Sequence, residues 1–466
     1  MTNIRKIMSS GGGGFGGTPD EPWGYNYPND TYGFGCQAGD YLHTWGAGIT
    51  YDDQDPAEEW ESGDSEPTHY SPYILNGPHL LMDDAYPNRP GNSNATWLRP
   101  IAGNGNLVNA TEISGIWAAG NNSYGVLGAP VPPAGHTLTG WTEIGRDTYI
   151  SGETEPSWYL LSRVGNAYHG LQKENYSGNP RGSMWGWGYN QDGRLGDGTY
   201  VDKYDGPVQI GSYTEWARQD TGPGASLFVR DDGTLWSTGA AALNGHNNST
   251  DYNVPTLLGG TDQYSRVSCG GCMGAIKYVG QGSGGGFGPA GDTYGTLWTW
   301  GHGGKGRLGH GNETSLTVPT QVGTDTDWTD IECNGSQTTY ALKLDGTMWG
   351  WGYNNNGQVG DGTTIDRWSP VQIGTTSDWG NTFGQGGGHM QVAGYNFMFQ
   401  IKEYSGYGGG ELWGWGTGSG RMGLGPNDTG NKLVPTRIGD KDDWIWITGG
   451  TNHALGIRRV YCGGLL

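Results

Sequence analysis

One phrase recurs five times in this chain: a Pro, two residues, an aliphatic, a Gly, and an aromatic five residues beyond that Gly. The copies are Pro207–Ile210–Gly211–Trp216, Pro255–Leu258–Gly259–Tyr264, Pro319–Val322–Gly323–Trp328, Pro370–Ile373–Gly374–Trp379 and Pro435–Ile438–Gly439–Trp444. A second phrase lies between them. It reads MWGWGYNQDGRLGDGT from Met184 to Thr199 and returns as MWGWGYNNNGQVGDGT from Met348 to Thr363. Self-similarity at a near-constant period constrains the fold more than any single residue does, because each unit must bury its apolar face against copies of itself.

The Gly that closes each Trp-Gly segment marks the register, at Gly46, Gly120, Gly188, Gly239, Gly301, Gly352 and Gly416. The shortest spacing, from Gly188 to Gly239 and again from Gly301 to Gly352, is 51 residues, and the other units carry insertions. In Leu297-Trp-Thr-Trp-Gly301 the two Trp alternate with smaller residues, so both indoles leave one face of a strand. Tyr340–Lys343, Asp345-Gly346 and Met348-Trp349 read as a hairpin with an Asp-Gly turn. No helical period of useful length runs through the repeats. With 92 Gly and 23 Pro, a chain lacking such a period would be of low complexity. In this chain Gly serves turns and close approaches of backbone. Four short strands per unit of about 50 residues make the blades of a β-propeller. The Trp pairs Trp185/Trp187, Trp298/Trp300, Trp349/Trp351 and Trp413/Trp415 are the expected blade core, wedged between neighbours. Only 33% of the chain is hydrophobic, but 22 Trp and 27 Tyr fill the place of aliphatics. The closing strand Ala454–Arg458 has no Trp-Gly strand after it, and Leu42–Gly46 has no partner before it. Pairing the two would clasp the ring.

Residues 295–346 resemble the regulator of chromosome condensation repeat almost throughout, through Leu297, Trp298, Trp300, Gly301, Gly306, Leu308, Gly309, Pro319, Val322, Trp328, Ile331, Ala341, Leu342, Lys343, Asp345 and Gly346. The likeness covers roughly residues 110–460. It implies an all-β, seven-bladed propeller over residues 21–466, its first two blades degenerate and lying within 21–165. An extended Gly-rich tail over residues 1–20 precedes it. The best-known member of the family exchanges nucleotide on a small GTPase and docks on chromatin, through face loops that cannot be matched to this chain residue by residue. Fold alone therefore carries no function across.

Composition excludes several classes. Lys and Arg number 25 against 46 Asp and Glu, a formal charge of −21. Nucleic-acid binding rests on a basic surface that releases phosphate counterions, so none is expected. No apolar run approaches a membrane span, and Met1–Gly14 has basic residues without the apolar core of a secretory signal. Five Cys are too few, and odd in number, for a disulfide framework.

The candidate sites each have an ordinary reading. Cys269-Gly-Gly-Cys272 has the spacing of a redox or metal pair, yet Cys269 stands in register with Cys333 on what reads as a buried strand. Asn190–Gly193 and Asn354–Gly357 suggest calcium but lack the terminal bidentate Glu and fit the family turn. The acidic run Asp52, Asp53, Asp55, Glu58, Glu59, Glu61, Asp64 and Glu66 around Trp60 reads first as solvated loop, with a cation or a basic partner as its alternative. No nucleophile–base pair, paired carboxylates or metal triad stands out, so neither an enzyme nor a metal or other cofactor is expected.

Insertions fall repeatedly in one place, the hairpin before each Trp-Gly strand: Val164–Ser183, Gly280–Gly295 and Glu403–Gly410, against a minimal turn at Asp345-Gly346. Equivalent loops of a propeller emerge on one side, which makes that side the candidate binding face. Its candidate contacts are Tyr168, His169, Tyr176, Phe287, Tyr294, Tyr404 and Tyr407, aromatics on Gly-supported loops. The alternative is that they pack back onto the propeller. The Gly-rich start suits a segment that orders on assembly, and it resembles the starts of structural proteins from phages of marine cyanobacteria. The expectation drawn from these features is a non-enzymatic virion component (tail, baseplate or capsid surface). It would be anchored to other virion proteins through residues 1–20 and would present its loops to a host-surface protein or glycan. An intracellular small-GTPase exchange factor or scaffold is the first alternative, and a secreted lectin-like adhesin the second.

Overall fold

A computed structural model describes residues 182–281, 293–333, 337–379, 396–403, 410–418, 422–424 and 430–449, together with strands before residue 182 and after residue 449. Strands β1 (Gly39–Gly46) and β2 (His69–Ile74) come first. A meander follows of β3 (Ile101–Ala102), β4 (Asn106–Thr111), β5 (Gly115–Asn121) and β6 (Thr137–Ile144). The next is β7 (Trp158–Val164), β8 (Ala167–Lys173), β9 (Gly182–Gly188) and β10 (Lys203–Gln209). Then come β11 (Trp216–Thr221), β12 (Ala225–Arg230), β13 (Leu235–Gly239) and β14 (Tyr252–Leu258). After these run β15 (Tyr264–Cys269), β16 (Met273–Gln281), β17 (Thr293–Gly301) and β18 (Leu316–Gln321), then β19 (Trp328–Cys333), β20 (Thr338–Lys343), β21 (Met348–Gly352) and β22 (Arg367–Gln372). The chain continues with β23 (Phe397–Glu403), β24 (Gly410–Gly416) and β25 (Lys432–Arg437), and finishes with β26 (Trp444–Gly449) and β27 (His453–Val460). Among the described residues the only helical turn is the 3-10 turn Gly304–Gly306. The chain is an all-β propeller.

Each complete meander pairs its strands in sequence, antiparallel, with the aromatic-led strand innermost and the Pro-bearing strand outermost. The repeated phrases thereby acquire places. The aromatic after Gly opens an inner strand, and a register shift follows it at once, between Trp216 and Arg218, Tyr264 and Arg266, Trp328 and Asp330, and Trp444 and Trp446. A bulge there steepens the right-handed twist that a blade needs between axis and rim. Pro255, Pro319, Pro370 and Pro435 lie in outermost strands, where a missing N–H removes one donor from an open sheet edge.

Core clusters straddle neighbouring blades. One joins Leu227, Val229 and Leu235 to Tyr264, Met273 and Trp300, and another joins Ile276, Leu297 and Leu308 to Trp328, Ile331 and Trp351. The two Trp of each pair divide the work. Trp187, Trp300, Trp351 and Trp415 are fully buried. Trp300 Nε1 donates to Leu243 O (2.8 Å), Trp351 Nε1 to Arg307 O (2.8 Å) and Trp415 Nε1 to Gln358 O (2.9 Å), each reaching into the preceding blade. Where the repeat has Thr238 instead of Trp, its Oγ1 makes the equivalent bond to Arg194 O (2.8 Å). Trp185, Trp298, Trp349 and Trp413 are half-buried, and each bonds a side chain two residues back along the chain: Ser183, Thr296, Thr347 and Glu411. A backbone bond completes each seam. Gly198 N–H donates to Asn253 O, Asn247 to Thr317 O, Gly311 to Trp368 O and Gly362 to Leu433 O, all on the next blade's outer strand.

The ring closes as the sequence suggests. β1 pairs β27 antiparallel from Gly39↔Val460 to Gly46↔His453, including Leu42↔Ile457. The sheet β2-β1-β27-β26 is thus built from both ends of the described chain.

Candidate protein-interaction face

Antiparallel meanders put alternate connections on opposite sides of the ring. One side carries the turns after each inner strand and the long Asn-containing loops before each outer strand. The other carries the insertion loops and the segments that lead into the next inner strand.

On the Asn side, the loops are held from within. Asn354 Nδ2 donates to Asp361 Oδ1, Thr363 O and Ile365 O, while its Oδ1 accepts from Val359 N–H and its own N–H donates to Asp366. Asn190 repeats the pattern with Asp197, Thr199, Val201, Leu195 and Asp202. The acceptors that would face a cation are occupied by these donors. Among the described residues no group of three His, Cys, Asp or Glu is placed to hold a metal. The acidic run 52–66 lies outside the described residues.

On the loop side, one arrangement recurs. In four blades a cation on the second strand lies over the half-buried Trp and is capped by a carboxylate from the segment leading to an inner strand. Lys343 Nζ sits 4.8 Å from the Trp328 ring and 5.1 Å from Trp349, bonding Asp325 (2.6 Å) and Asp327 (3.2 Å). Lys402 lies over Trp379 and Trp413 and bonds Asp378 (3.0 Å). Lys277 lies over Trp298 with Asp262, and Arg230 over Tyr213 and Trp236 with Glu215. The cations are sunk and the carboxylates outermost, since Lys343 and Lys402 side chains are 10% and 11% exposed against 54% for Asp325 and Asp378. Burial works against the Lys343 ammonium, yet its bonds to Asp325 and Asp327 hold its pKa above the usual lysine value. Burial likewise opposes the Asp378 carboxylate, but Thr376 and Lys402 bring its pKa down. Among the described residues, the outermost charged groups of these pairs are therefore the carboxylates, and exposed Asp440 and Asp442 lie on the same side.

The aromatics expected to read a partner fare differently. Tyr168 and His169 are not loop residues, because the stretch 164–183 contains the whole of β8. Both are fully buried, Tyr168 stacked on Trp187 with ring centres 5.4 Å apart. His169 lies between Thr221 Oγ1 (2.7 Å) and Leu195 O (3.0 Å). The residues that looked like an insertion continue the sheet. Tyr294 belongs to β17, half-buried, its hydroxyl over Gly280 on the facing strand. Tyr176, Phe287, Tyr404 and Tyr407 lie outside the described residues. The carboxylates were missed in the sequence, although the signal was there: Glu215, Asp327 and Asp378 immediately precede the inner-strand aromatic, and Asp262 stands two before it.

Comparison with known proteins relates part of this chain to a known repeat. Residues 294–342 and 345–385 match the regulator of chromosome condensation (RCC1) repeat, and residues 328–358 match a second form of it. The chain carries RCC1 repeats. The RCC1-type propeller is also the fold of human WBSCR16 (TM-score 0.64, 16% identity, 91% of this chain and 99% of that one). Prp20p from Saccharomyces cerevisiae, described with its binding properties to Gsp1p and histones, shares it as well (TM-score 0.61, 15% identity, 91% and 93%). Among curated proteins, the ultraviolet-B receptor UVR8 of Arabidopsis thaliana is 31% identical over 201 residues, 41% of this chain and 42% of the receptor. The human E3 ubiquitin-protein ligase HERC2 is 28% identical over 191 residues, 39% of this chain and 4% of the ligase. The RCC1-repeat chain thus spans less than half the length of these two relatives. The expectation of a virion component is overturned by them: the relatives are a plant receptor and a human ligase, not particle proteins. The Gly-rich start was too short and generic a likeness to outweigh the repeats matched between residues 294 and 385.

Proposed function

We propose that this chain is a non-catalytic protein-binding propeller, an intracellular regulator or scaffold that engages a basic partner through its loop side. The observation that carries the reading is the outward row of carboxylates Glu215, Asp262, Asp325 and Asp378, each held in place by a sunken cation. Ion pairs that all present their negative end outward steer and orient a basic partner more than they add raw affinity. A narrower form is nucleotide exchange on a small GTPase, favoured by the likeness to Prp20p with its described binding to Gsp1p. The accompanying domain reading is a Gly-rich segment 1–20 followed by a propeller of seven units over 21–466.

The test is release of labelled nucleotide from a panel of small GTPases, run beside capture of basic protein partners by the full chain. The triple change Asp262→Asn, Asp325→Asn, Asp378→Asn should slow association at least about tenfold and flatten its salt dependence. Unchanged capture by that variant would refute the acidic side as the docking face.

A further inference from the structure

The Cys-Gly-Gly-Cys motif does not pair with itself. Cys269 ends the inner strand β15 and Cys272 closes the turn into β16. Cys272 Sγ faces Cys333 Sγ at 3.4 Å, at the end of β19 in the next blade. Each is 1% exposed. We propose that Cys272 and Cys333 are an oxidative modification site, a dithiol that small hydroperoxides convert to a disulfide linking two adjacent blades.

The geometry is favourable on both sides. Cys272 Sγ also lies 3.4 Å from Thr339 Oγ1 and 3.8 Å from Arg307 O, and Arg307 Nη1 is fixed to Gly271 O (2.9 Å) beside the turn. The neighbouring Cys333 and Thr339 groups, with the Arg307 charge, bring the Cys272 thiol's pKa down against burial, whereas burial pushes that of Cys333 up. Thiolate is the form that attacks peroxide. Cys272 thiolate displaces hydroxide from hydrogen peroxide and becomes a sulfenic acid. The Cys333 sulfur then attacks it, loses its proton and expels water. Two thiols are oxidised to one disulfide and one peroxide is reduced to two waters. Closure needs the sulfurs to approach from 3.4 Å to roughly 2.05 Å, which a turn and a strand end can accommodate more easily than two strand centres. Cys269 occupies the register position of Cys333 one blade earlier, but the counterpart of Cys272 in the blade before it is Gly224, which brings no sulfur.

The experiment treats the purified full chain with hydrogen peroxide, quenches with an alkylating agent under denaturing conditions, and maps peptides without reduction. The expected result is one cross-linked species joining the peptides of Cys272 and Cys333, lighter by ~2 Da and reversed by dithiothreitol. Cys269→Ser should leave it intact, while Cys272→Ser and Cys333→Ser should each abolish it. Should either Ser variant fail to fold, the Cys269→Ser chain alone decides. Recovery of both thiols alkylated, in native buffer and in sub-denaturing urea, would overturn the proposal. So would a cross-link through any other pair.

Discussion

At the residue scale, the two Trp of a Trp-x-Trp-Gly segment look equivalent and are not. Trp300 satisfies Leu243 O in the blade before it, whereas Trp298 bonds Thr296 on its own strand. Trp300→Phe should therefore leave a buried carbonyl without its donor and lower stability by about 1–3 kcal/mol, with Trp298→Phe costing less, as read from denaturant midpoints. Two titrating groups pull in opposite directions. Burial pushes Asp220 up to about 7, against bonds from the Cys269 and Thr221 N–H groups. The folded chain holds that proton better than the unfolded one, so its stabilisation is present in acid and lost as pH rises to about 7. Burial lowers His169 to about 4, so its contribution is present above the ordinary histidine value and lost as pH falls toward 4. Asp220→Asn isolates the first effect. Its stability relative to the parent chain should rise between about pH 4 and about pH 7 and level off above that, and a constant difference would refute the raised carboxyl.

At the element scale, the Asn-containing loops are small structures in their own right. Asn354→Ala removes the donor and acceptor that hold Asp361, Thr363, Ile365 and Val359 together, and should cost about 2–4 kcal/mol with local loss of hydrogen-exchange protection over 354–366. Much of this level was legible in the sequence. Strand identity, the Asp-Gly turn and the pairing of Leu42–Gly46 with Ala454–Arg458 all followed from period-two alternation and repeat register. What was not legible was where a loop begins. Ala167–Lys173 has the Gly, Tyr and His of a surface loop, and only its pairing with β7 and β9 shows that Tyr168 and His169 face a core. Composition reports polarity; it does not report which neighbour covers a residue.

At the scale of the whole molecule, stability is shared among seams rather than stored in one centre. Every described seam carries an indole or hydroxyl bond, a backbone bond or a shared apolar cluster, so blades depend on their neighbours. Truncation after Thr451 deletes β27 and with it the partner of both β1 and β26. The expected outcome is cooperative loss of the fold, seen as collapse of the Trp near-ultraviolet signal. A stable, merely shortened propeller would contradict it. The function was less legible than the fold for a physical reason: the repeat phrases are spent on turns, seams and edges, and the residues left to meet a partner are the ones the repeat does not dictate.

The composite sheet also sets a timetable. On the ribosome β1 emerges long before its partner, which is made only from residue 453 onward. While everything between the two strands is made, β1 waits with one edge unmatched. Contacts this distant in sequence form slowly and leave partly folded chains prone to association. Until β27 arrives, the open edge of β1 is a place where a second unfinished chain can pair.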